Sequence, residues 1–343
     1  MTFDILTGPP DQPTDDAWKN FLTRADFPCH YVTPAFFAEP QFRTRHPFAV
    51  LIRDGSSIVA VATGLMNGRT AQCGLLSRPQ LSFDPTADRA EIARTLSQAL
   101  VHVHEHAACV HIVSWSPLPV LQANAFREQV FSGDAGIVLL DLRRGPDALF
   151  REFAKGRRAN IRKAMRQGIE IIDDGSDADL ESYYAIYLGW CQTKQQPPLP
   201  YPLFRETVRL RANRRLFLAK HKGVVIAGAT VRFCPSGVME YSANASLKEY
   251  QPLCPNDLLH WRIIEWACAE GLQTYSLGGA HFFLRRFGGT LVNTYQYRLD
   301  RTFGKRIEMR ERLIAVARWS WKHLPVNLKT RIKPEADLGA AAD

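Results

Sequence analysis

The chain has 343 residues, of which 46% are hydrophobic and 22% charged, a composition typical of a globular protein long enough for two domains. Its formal net charge of +9 at pH 7 favours an anionic partner, such as nucleic acid, a phosphate-bearing molecule or an acidic membrane surface. No run of about 18 apolar residues is present, which excludes a predicted membrane-spanning helix. The N-terminus has no basic stretch followed by an apolar core, so we expect no signal peptide.

The seven cysteines are scattered, without a Cys-x-x-Cys pair, and most lie in apolar runs. This usage favours buried thiols in a reducing compartment over disulfides, and we therefore expect a cytoplasmic protein. His102, His104 and His106 are close in sequence, but on a helix only His102 and His106 share a face. Because the sequence places no further ligands beside them, we predict no metal site.

In the first half, apolar periodicity predicts a hairpin, a helix and two strands after a proline-punctuated start with short helical pieces. The predicted elements are a hairpin over 47–67, a helix over 88–107, and strands over 109–115 and 136–142.

Residues 147–168 are predicted to form one amphipathic helix that begins at Asp147 and ends at Gly168. Cations follow one another at helical spacing along its polar face, and they are Arg151, Lys155, Arg158, Arg162 and Arg166. Like charges at this spacing repel by a few tenths of a kcal/mol per pair, so folding gains nothing from them. The stripe is either a solvated face or a surface that meets phosphates or another polyanion, and we favour the second interpretation.

The second half repeats this order of elements. It begins with a strand over 169–172, a helix from Asp177, and a proline-rich connector into a short helix. The later elements are a hairpin over 215–233, a strand over 237–245, a helix over 256–270 with Asn256 as its cap, and strands over 272–277 and 291–299. The shared order of hairpin, helix, strand and strand indicates a duplicated α+β unit.

The C-terminal residues 306–333 are predicted to form a basic helix that carries Trp319 and Trp321. Such a helix either lies on an anionic membrane surface or docks on the protein body, and we favour docking.

Several segments of the second half carry a family resemblance. They are GRRANIRKAMRQGIEI (156–171), LFLAKHKGVVIAGATVRF (216–233), PNDLLHWRIIEWACAEGLQTYSLGGA (255–280) and FLRRFGG (283–289). With the element order, they resemble the Fem-like branch of the GCN5-related N-acetyltransferase (GNAT) superfamily. The resemblance implies an α+β fold of two tandem GNAT-like domains, each a mixed, mostly antiparallel sheet flanked by helices. The implied domains are 1–145 and 146–305, followed by the basic helix and a disordered tail over 306–343.

The resemblance also implies transfer of an acyl or aminoacyl group to an amine of a cell-envelope precursor, as in the peptidoglycan-bridge aminoacyltransferases. The implied donor is aminoacyl-tRNA, the implied acceptor is a phosphate-bearing or lipid-linked precursor, and no tightly bound cofactor is expected. Acyl-coenzyme A is the less favoured donor, because the loop at 247–255 has two prolines and no glycine where coenzyme-A-dependent relatives have a glycine-rich motif. The sequence also lacks the long helical arm of some Fem enzymes, and Leu284 stands at their lysine position.

Two alternatives stay open at this point. One is a coenzyme A- or carrier-protein-dependent N-acyltransferase that modifies a surface polysaccharide or lipid. The other is a non-catalytic member that binds nucleic acid or anionic lipid through the stripe and the C-terminal helix.

Attack of an amine on an ester or thioester needs a neutral amine, donors for the carbonyl oxygen and a proton for the leaving group. The predicted catalytic residues are Tyr241, Asn244, His260 and Arg285. The predicted substrate-binding residues are Arg157, Arg158, Arg162, Lys163, Asn256, Ser276, Gly278, Gly279, Arg286 and Phe287. For His260 a structural role inside an apolar helix is the favoured alternative, and for Asn256 a role as helix cap.

Overall fold

The computed structural model describes residues 1–74, 78–103, 107–235 and 237–323. The strands of the first half are β1 Thr2–Leu6, β2 Pro47–Asp54, β3 Ser57–Asn67, β4 Thr70–Cys73, β5 Leu81–Phe83, β6 Cys109–Ser114 and β7 Arg127–Phe131. Its helices are α1 Gln12–Leu22, α2 Arg89–His102 and α3 Pro119–Ala123. The predicted first hairpin and its following helix and strand are therefore present, while His104 and His106 lie outside the described residues.

The strands that follow are β8 Ile137–Asp141, β9 Ile169–Asp173, β10 Arg214–His221, β11 Val224–Phe233, β12 Val238–Ser246, β13 Thr274–Ser276, β14 Thr290–Val292 and β15 Thr294–Asp300. The helices are α4 Pro146–Glu152, α5 Lys155–Arg166, α6 Asp177–Lys194, α7 Tyr201–Val208, α8 Pro255–Ala269, α9 Phe282–Arg285 and α10 Arg306–His323. Helix α6 is capped by Ser176 and Asp179, which exchange side-chain and backbone hydrogen bonds, rather than by Asp177.

The described strands form two sheets. The first has the order β1-β2-β3-β4-β6-β15-β7 with β5 beside β3, and the second has the order β14-β8-β13-β12-β11-β10-β9. Adjacent strands are antiparallel except β4 with β6 and β12 with β13. This arrangement confirms the predicted α+β fold with two mixed, mostly antiparallel sheets flanked by helices.

The two halves exchange one strand each. Strand β8 pairs with β13 and β14 in the second sheet, whereas β15 pairs with β6 and β7 in the first. The strand predicted over 136–142 thus lies in the second sheet, and the single strand predicted over 291–299 is two strands, of which β14 lies in the second sheet and β15 in the first. Domain boundaries at 145/146 and 305/306 stay a proposal, and each sheet includes one strand from across the 145/146 boundary.

Strand β8 is buried on both faces, which explains its position. Ile137 and Leu139 pack into a core shared with the first half, whereas Val138 and Leu140 pack into the core of the second half. A strand that is apolar on both sides is stable only where both faces are covered. Strand β8 meets this requirement because it lies between β14 and β13 in the second sheet, with one core on each of its faces.

The basic segment forms two helices rather than the single predicted one. The chain is extended at Phe153 and Ala154, both with ψ of 141°, between α4 and α5. Phe153 is buried against the rings of Trp261 and Phe287, so packing of this side chain outweighs helical continuity. The cation stripe is accordingly divided, with Arg151 on α4 and its other members on α5.

Helix α10 meets the body at its first turn, where Glu308 pairs with Arg127 and Arg312. Beyond this turn, Met309, Leu313 and Val316 are 58%, 68% and 60% exposed. The favoured expectation of a docked helix is therefore wrong for these side chains, and residues 324–333 lie outside the described part of the chain. Among the described helices, none combines the length and the apolar character needed to cross a membrane.

Candidate active site

An opening in the second sheet brings most of the predicted residues together. Strand β12 pairs with β11 along almost its whole length, but with β13 only over Val238–Glu240. From Tyr241 to Ser246, no described strand lies against that edge of β12. A register shift opposite Thr230 and Val231 makes Ser242 an extra residue in the strand. Backbone N–H and C=O groups of β12 are thus left without ladder partners on this side.

A glycine turn forms the other side of the opening. Strand β13 ends at Ser276, whose buried hydroxyl accepts a hydrogen bond from the Gly278 N–H at 3.4 Å. Gly278 has φ of 75°, and a Cβ there would lie 3.2 Å from the carbonyl oxygen of Tyr241. Glycine therefore allows the turn to approach β12. The carbonyl of Gly279 accepts from the Val138 N–H at 3.1 Å, which ties the turn to β8.

Arg78 of the first half reaches the same edge. Its Nη2 donates to the carbonyl oxygens of Tyr241 at 3.2 Å and Ser242 at 3.3 Å. The opening is therefore built from both halves of the chain. No sequence pattern around Arg78 points to this role, because the contact joins residues about 160 positions apart.

Two asparagines connect the opening to α8. Asn244 donates from Nδ2 to Oδ1 of Asn256 at 3.0 Å, and Asn256 donates from its Nδ2 to the Ser246 hydroxyl at 3.2 Å. Asn256 does not cap α8 as predicted, because Cys254, with φ of 62°, occupies the N-cap position. Its amide instead fixes the end of β12 against the first turn of α8.

His260 lies behind the opening in an aromatic cage. Its side chain is buried, and Nδ1 is 3.2 Å from the hydroxyl of Tyr275. The rings of Tyr241 and Phe287 are each centred 4.8 Å from the imidazole. Burial, reinforced by the charge of Arg157, lowers the pKa of His260 to about 3, so the imidazole is neutral near pH 7. These surroundings favour the structural role of His260.

Arg157 and Phe287, both predicted to bind substrate, are fully buried. The Arg157 guanidinium pairs with Asp257 and donates to the carbonyl of Phe283 at 2.6 Å. It also stacks between the rings of Phe283 and Phe287, at 3.9 and 4.3 Å from their centroids. The two predictions do not fit the structure, because these side chains hold α5, α8 and α9 together and leave no surface for a ligand.

The remaining predicted cations have different environments. Arg158 donates to the carbonyls of Arg151 and Phe153, and so satisfies the end of α4 at the break. Arg285 donates to the carbonyl of Ala280 and pairs with the exposed Asp134, each at 2.7 Å. These two residues have structural partners.

Arg162 and Lys163 are exposed on α5, away from the buried face of that helix. Arg286 lies beside the first turn of α5, where a Cβ on Gly156 would come within 2.5 Å of its Nη2. We call Arg162, Lys163 and Arg286 the basic surface.

Sequence reasoning missed four residues of this region: Arg78, Glu240, Ser246 and Asp257. Glu240 and Asp257 carried a signal, because each places a carboxylate in a run that is otherwise apolar. Both are buried in the structure.

The comparison with protein families is consistent with this geometry. Residues 154–288 match the model of the acetyltransferase (GNAT) domain. The second half therefore contains a GNAT-type acetyltransferase domain, the class of acyltransferases that the sequence resemblance predicted. No curated protein matched the chain.

Solved structures share the architecture of the whole chain. FemX is 13% identical with a TM-score of 0.66, and the match covers 88% of this chain and 98% of FemX. The C-terminal domain of a putative lysylphosphatidylglycerol synthetase from Agrobacterium fabrum is 11% identical with a TM-score of 0.57, covering 86% and 94%. A tandem GNAT protein from the clavulanic acid biosynthesis pathway is 15% identical with a TM-score of 0.55, covering 88% and 99%. The predicted Fem-like tandem GNAT fold is thus confirmed.

We expect Arg157→Met to destabilise the protein by roughly 3–5 kcal/mol, because it leaves the Asp257 carboxylate buried without its partner. Urea unfolding followed by circular dichroism measures the change. The matched control is Arg162→Met on the exposed face of the same helix, for which we expect a change within about 0.5 kcal/mol. Equal stability of the two variants would contradict the structural role of Arg157.

We expect His260 to make the protein less stable as the pH falls below 6.5. Because its folded pKa is about 3 and its ordinary value is 6.5, the unfolded chain takes up a proton in this window that the folded protein does not. Urea unfolding from pH 7 to 4 should show a pH slope that is smaller in His260→Asn by up to roughly 1.4 kcal/mol per pH unit. His30 and His111, with pKa values of about 4, act in the same direction and are unchanged in the variant. An unaltered slope would show that His260 is not held neutral by burial.

Proposed function

We propose that the protein transfers an acyl or aminoacyl group to an amine of a phosphate-bearing cell-envelope precursor. The observation that carries this proposal is the opening in a GNAT-type domain between the unpaired edge of β12 and the Gly278 turn. The architecture shared with FemX and with a lysylphosphatidylglycerol synthetase domain supports the envelope as the place of action.

The reaction joins the amine nitrogen to the carbonyl carbon of the donor. A C–N bond forms, the bond from that carbon to the leaving oxygen or sulfur breaks, and the amine proton is passed on to the leaving group. Backbone N–H groups on the unpaired edge of β12 can donate to the carbonyl oxygen while it gains negative charge. The hydroxyl of Tyr241, the first residue of that unpaired edge, is the candidate proton donor for the leaving group.

The region around 247–255 supports a donor other than acyl-coenzyme A. Residues Lys248–Leu253 form a 3₁₀ turn that contains Pro252, and α8 starts with Pro255, which has no N–H to donate. Aminoacyl-tRNA therefore remains the favoured donor, with acyl-coenzyme A as the alternative.

The basic surface of Arg162, Lys163 and Arg286 is assigned to the phosphates of the acceptor or of tRNA. Exposed arginine and lysine side chains can donate charge-assisted hydrogen bonds to phosphate oxygens. These three cations have no carboxylate partner among the described ion pairs, in contrast to Arg285.

The test is a transfer assay with the full chain, a UDP-linked muropeptide as acceptor, and either aminoacyl-tRNA or acetyl-coenzyme A as donor. We expect transfer from aminoacyl-tRNA, and a fall in kcat of about 100-fold in Tyr241→Phe because the leaving group loses its proton donor. Tyr250→Phe, on the 3₁₀ turn, is the control and should keep full activity.

The other outcomes of this assay distinguish the alternative donor and the non-catalytic alternative. Transfer from acetyl-coenzyme A alone would overturn the donor assignment. Binding of tRNA or muropeptide without any transfer would favour the non-catalytic alternative.

We further propose that α10 brings the enzyme to an anionic membrane surface. Phe303, three residues before α10, is 87% exposed, and Met309, Leu313 and Val316 are exposed along one side of α10. Arg306 and Arg310 are exposed beside this apolar face. Exposed apolar side chains flanked by cations are the pattern of helices that lie in the headgroup region.

Vesicle sedimentation tests this surface. The wild-type protein should bind vesicles that contain phosphatidylglycerol and bind pure phosphatidylcholine vesicles weakly. Met309→Ser with Leu313→Ser should reduce binding at least tenfold, because the buried apolar area is lost. The matched control replaces Met165 and Leu188, which are exposed apolar residues elsewhere, with serine. Equal binding by both double variants would contradict the proposal.

A further inference from the structure

Glu240 carries a buried carboxylate that has no hydrogen-bond partner. Its side chain is 1% exposed, and neither carboxylate oxygen accepts a hydrogen bond from any described residue. Burial raises the pKa of Glu240, because an ionised carboxylate here is unfavourable by several kcal/mol unless a cation or a donor satisfies it. The proposed transfer reaction makes no use of this side chain.

Glu240 lies on the face of β12 opposite the Tyr241–His260 cage. Val238, two residues earlier on the same face, packs in the core shared by the two halves. Cys29 and Arg78, both from the first half, interact electrostatically with the Glu240 carboxylate. The side chain therefore points between the two halves.

Arg232 is the direct neighbour of Glu240 on β11. The two residues are cross-strand partners, which places their Cβ atoms about 5 Å apart. Nevertheless Arg232 directs Nη1 to the hydroxyl of Tyr31, over whose ring its guanidinium lies at 5.1 Å. Its Nε is buried and donates to no described atom. A carboxylate and a guanidinium thus stand side by side, and each keeps a buried group unsatisfied.

We propose that this cluster is a binding site for a zwitterionic α-amino acid group. The ammonium would donate to the two oxygens of Glu240, and the carboxylate would accept from Nε of Arg232. In an α-amino acid the ammonium and the carboxylate are attached to the same carbon atom, so the two charges lie close together. This spacing suits two side chains at adjacent cross-strand positions. One bound group would satisfy the unpartnered atoms of both residues.

The site adjoins the opening described above. Glu240 is the last residue of β12 that pairs with β13, and Arg78 bonds to the carbonyls of the next two residues. We place the entrance at Arg78, whose side chain is half-buried. An amine held by Glu240 would then lie where the opening begins, and transfer of one ammonium proton to the Glu240 carboxylate would make it neutral for attack. The inference thus deepens the proposed function, on which its relevance to transfer rests, by giving the acceptor amine the chemistry of an amino acid.

The test measures binding to the full chain without any acyl donor, so its failure is distinguishable from a failure of transfer. Glycine is the probe, because it has both charges and no side chain, and methylamine and acetate each carry one of them. Thermal unfolding is recorded over a concentration series of each probe. We expect a saturable rise in Tm with glycine that neither methylamine nor acetate reproduces.

Glu240→Gln keeps the size of the side chain and removes its charge, and we expect at least a tenfold loss of glycine affinity. Glu170→Gln, on the exposed side of β9, is the matched control and should bind as the wild type does. Arg232→Lys provides a second variant, which should also weaken glycine binding because lysine lacks the Nε donor. The proposal is overturned if glycine causes no saturable shift, if either single-charge probe causes the same shift, or if Glu240→Gln binds glycine as the wild type does.

Discussion

The burial of β8 on both faces is the constraint on which the rest of the structure depends. Its residues Val138 and Leu140 complete the core under α8, and Ile137 and Leu139 complete the core between the halves. Strand β8 pairs with both β13 and β14, and β13 ends at Ser276, so among the described strands none pairs with β12 on this side beyond Glu240. The same strand therefore joins the halves and lies next to the short strand at which the second sheet opens.

Around this opening, buried charges are arranged in two ways. Arg157 and Asp257 are paired and enclosed by aromatic rings, so they fix three helices and bind nothing. His30, Glu39 and Arg214 form a second paired group that joins the first half to β10. Glu240 is equally buried, yet neither of its carboxylate oxygens has a partner, and the partly buried Arg232 beside it has an unpartnered Nε. The buried carboxylates of Asp257 and Glu39 are each paired with an arginine, whereas both oxygens of Glu240 lack a hydrogen-bond partner, and this difference favours a ligand role for Glu240.

Much of the second half could be predicted from the sequence. The hairpin of β10 and β11, helix α8 and the turn at Gly278 follow from local patterns of apolar residues and glycine. Tyr241, Asn244, Asn256, Ser276 and Gly278, which were predicted as site residues, lie around one opening because they flank consecutive elements, and their roles there stay a prediction. The assignments of Arg157 and Phe287 to a ligand were wrong, because residue type does not reveal whether a cation stays on the surface or is paired in the core.

The amino-acid sequence by itself determined the α+β class, the basic character, the resemblance to Fem-like acyltransferases and the order of elements, because these depend on residues close together in the chain. Only the tertiary structure decided the exchange of β8 and β15, the break between α4 and α5, the position of Arg78 at the opening and the isolation of Glu240. Each of these rests on contacts between residues far apart in sequence. In such contacts, the packing of side chains into the buried space outweighs the local conformational preference of the chain. A periodic pattern in the sequence does not show which distant residue a side chain will pack against.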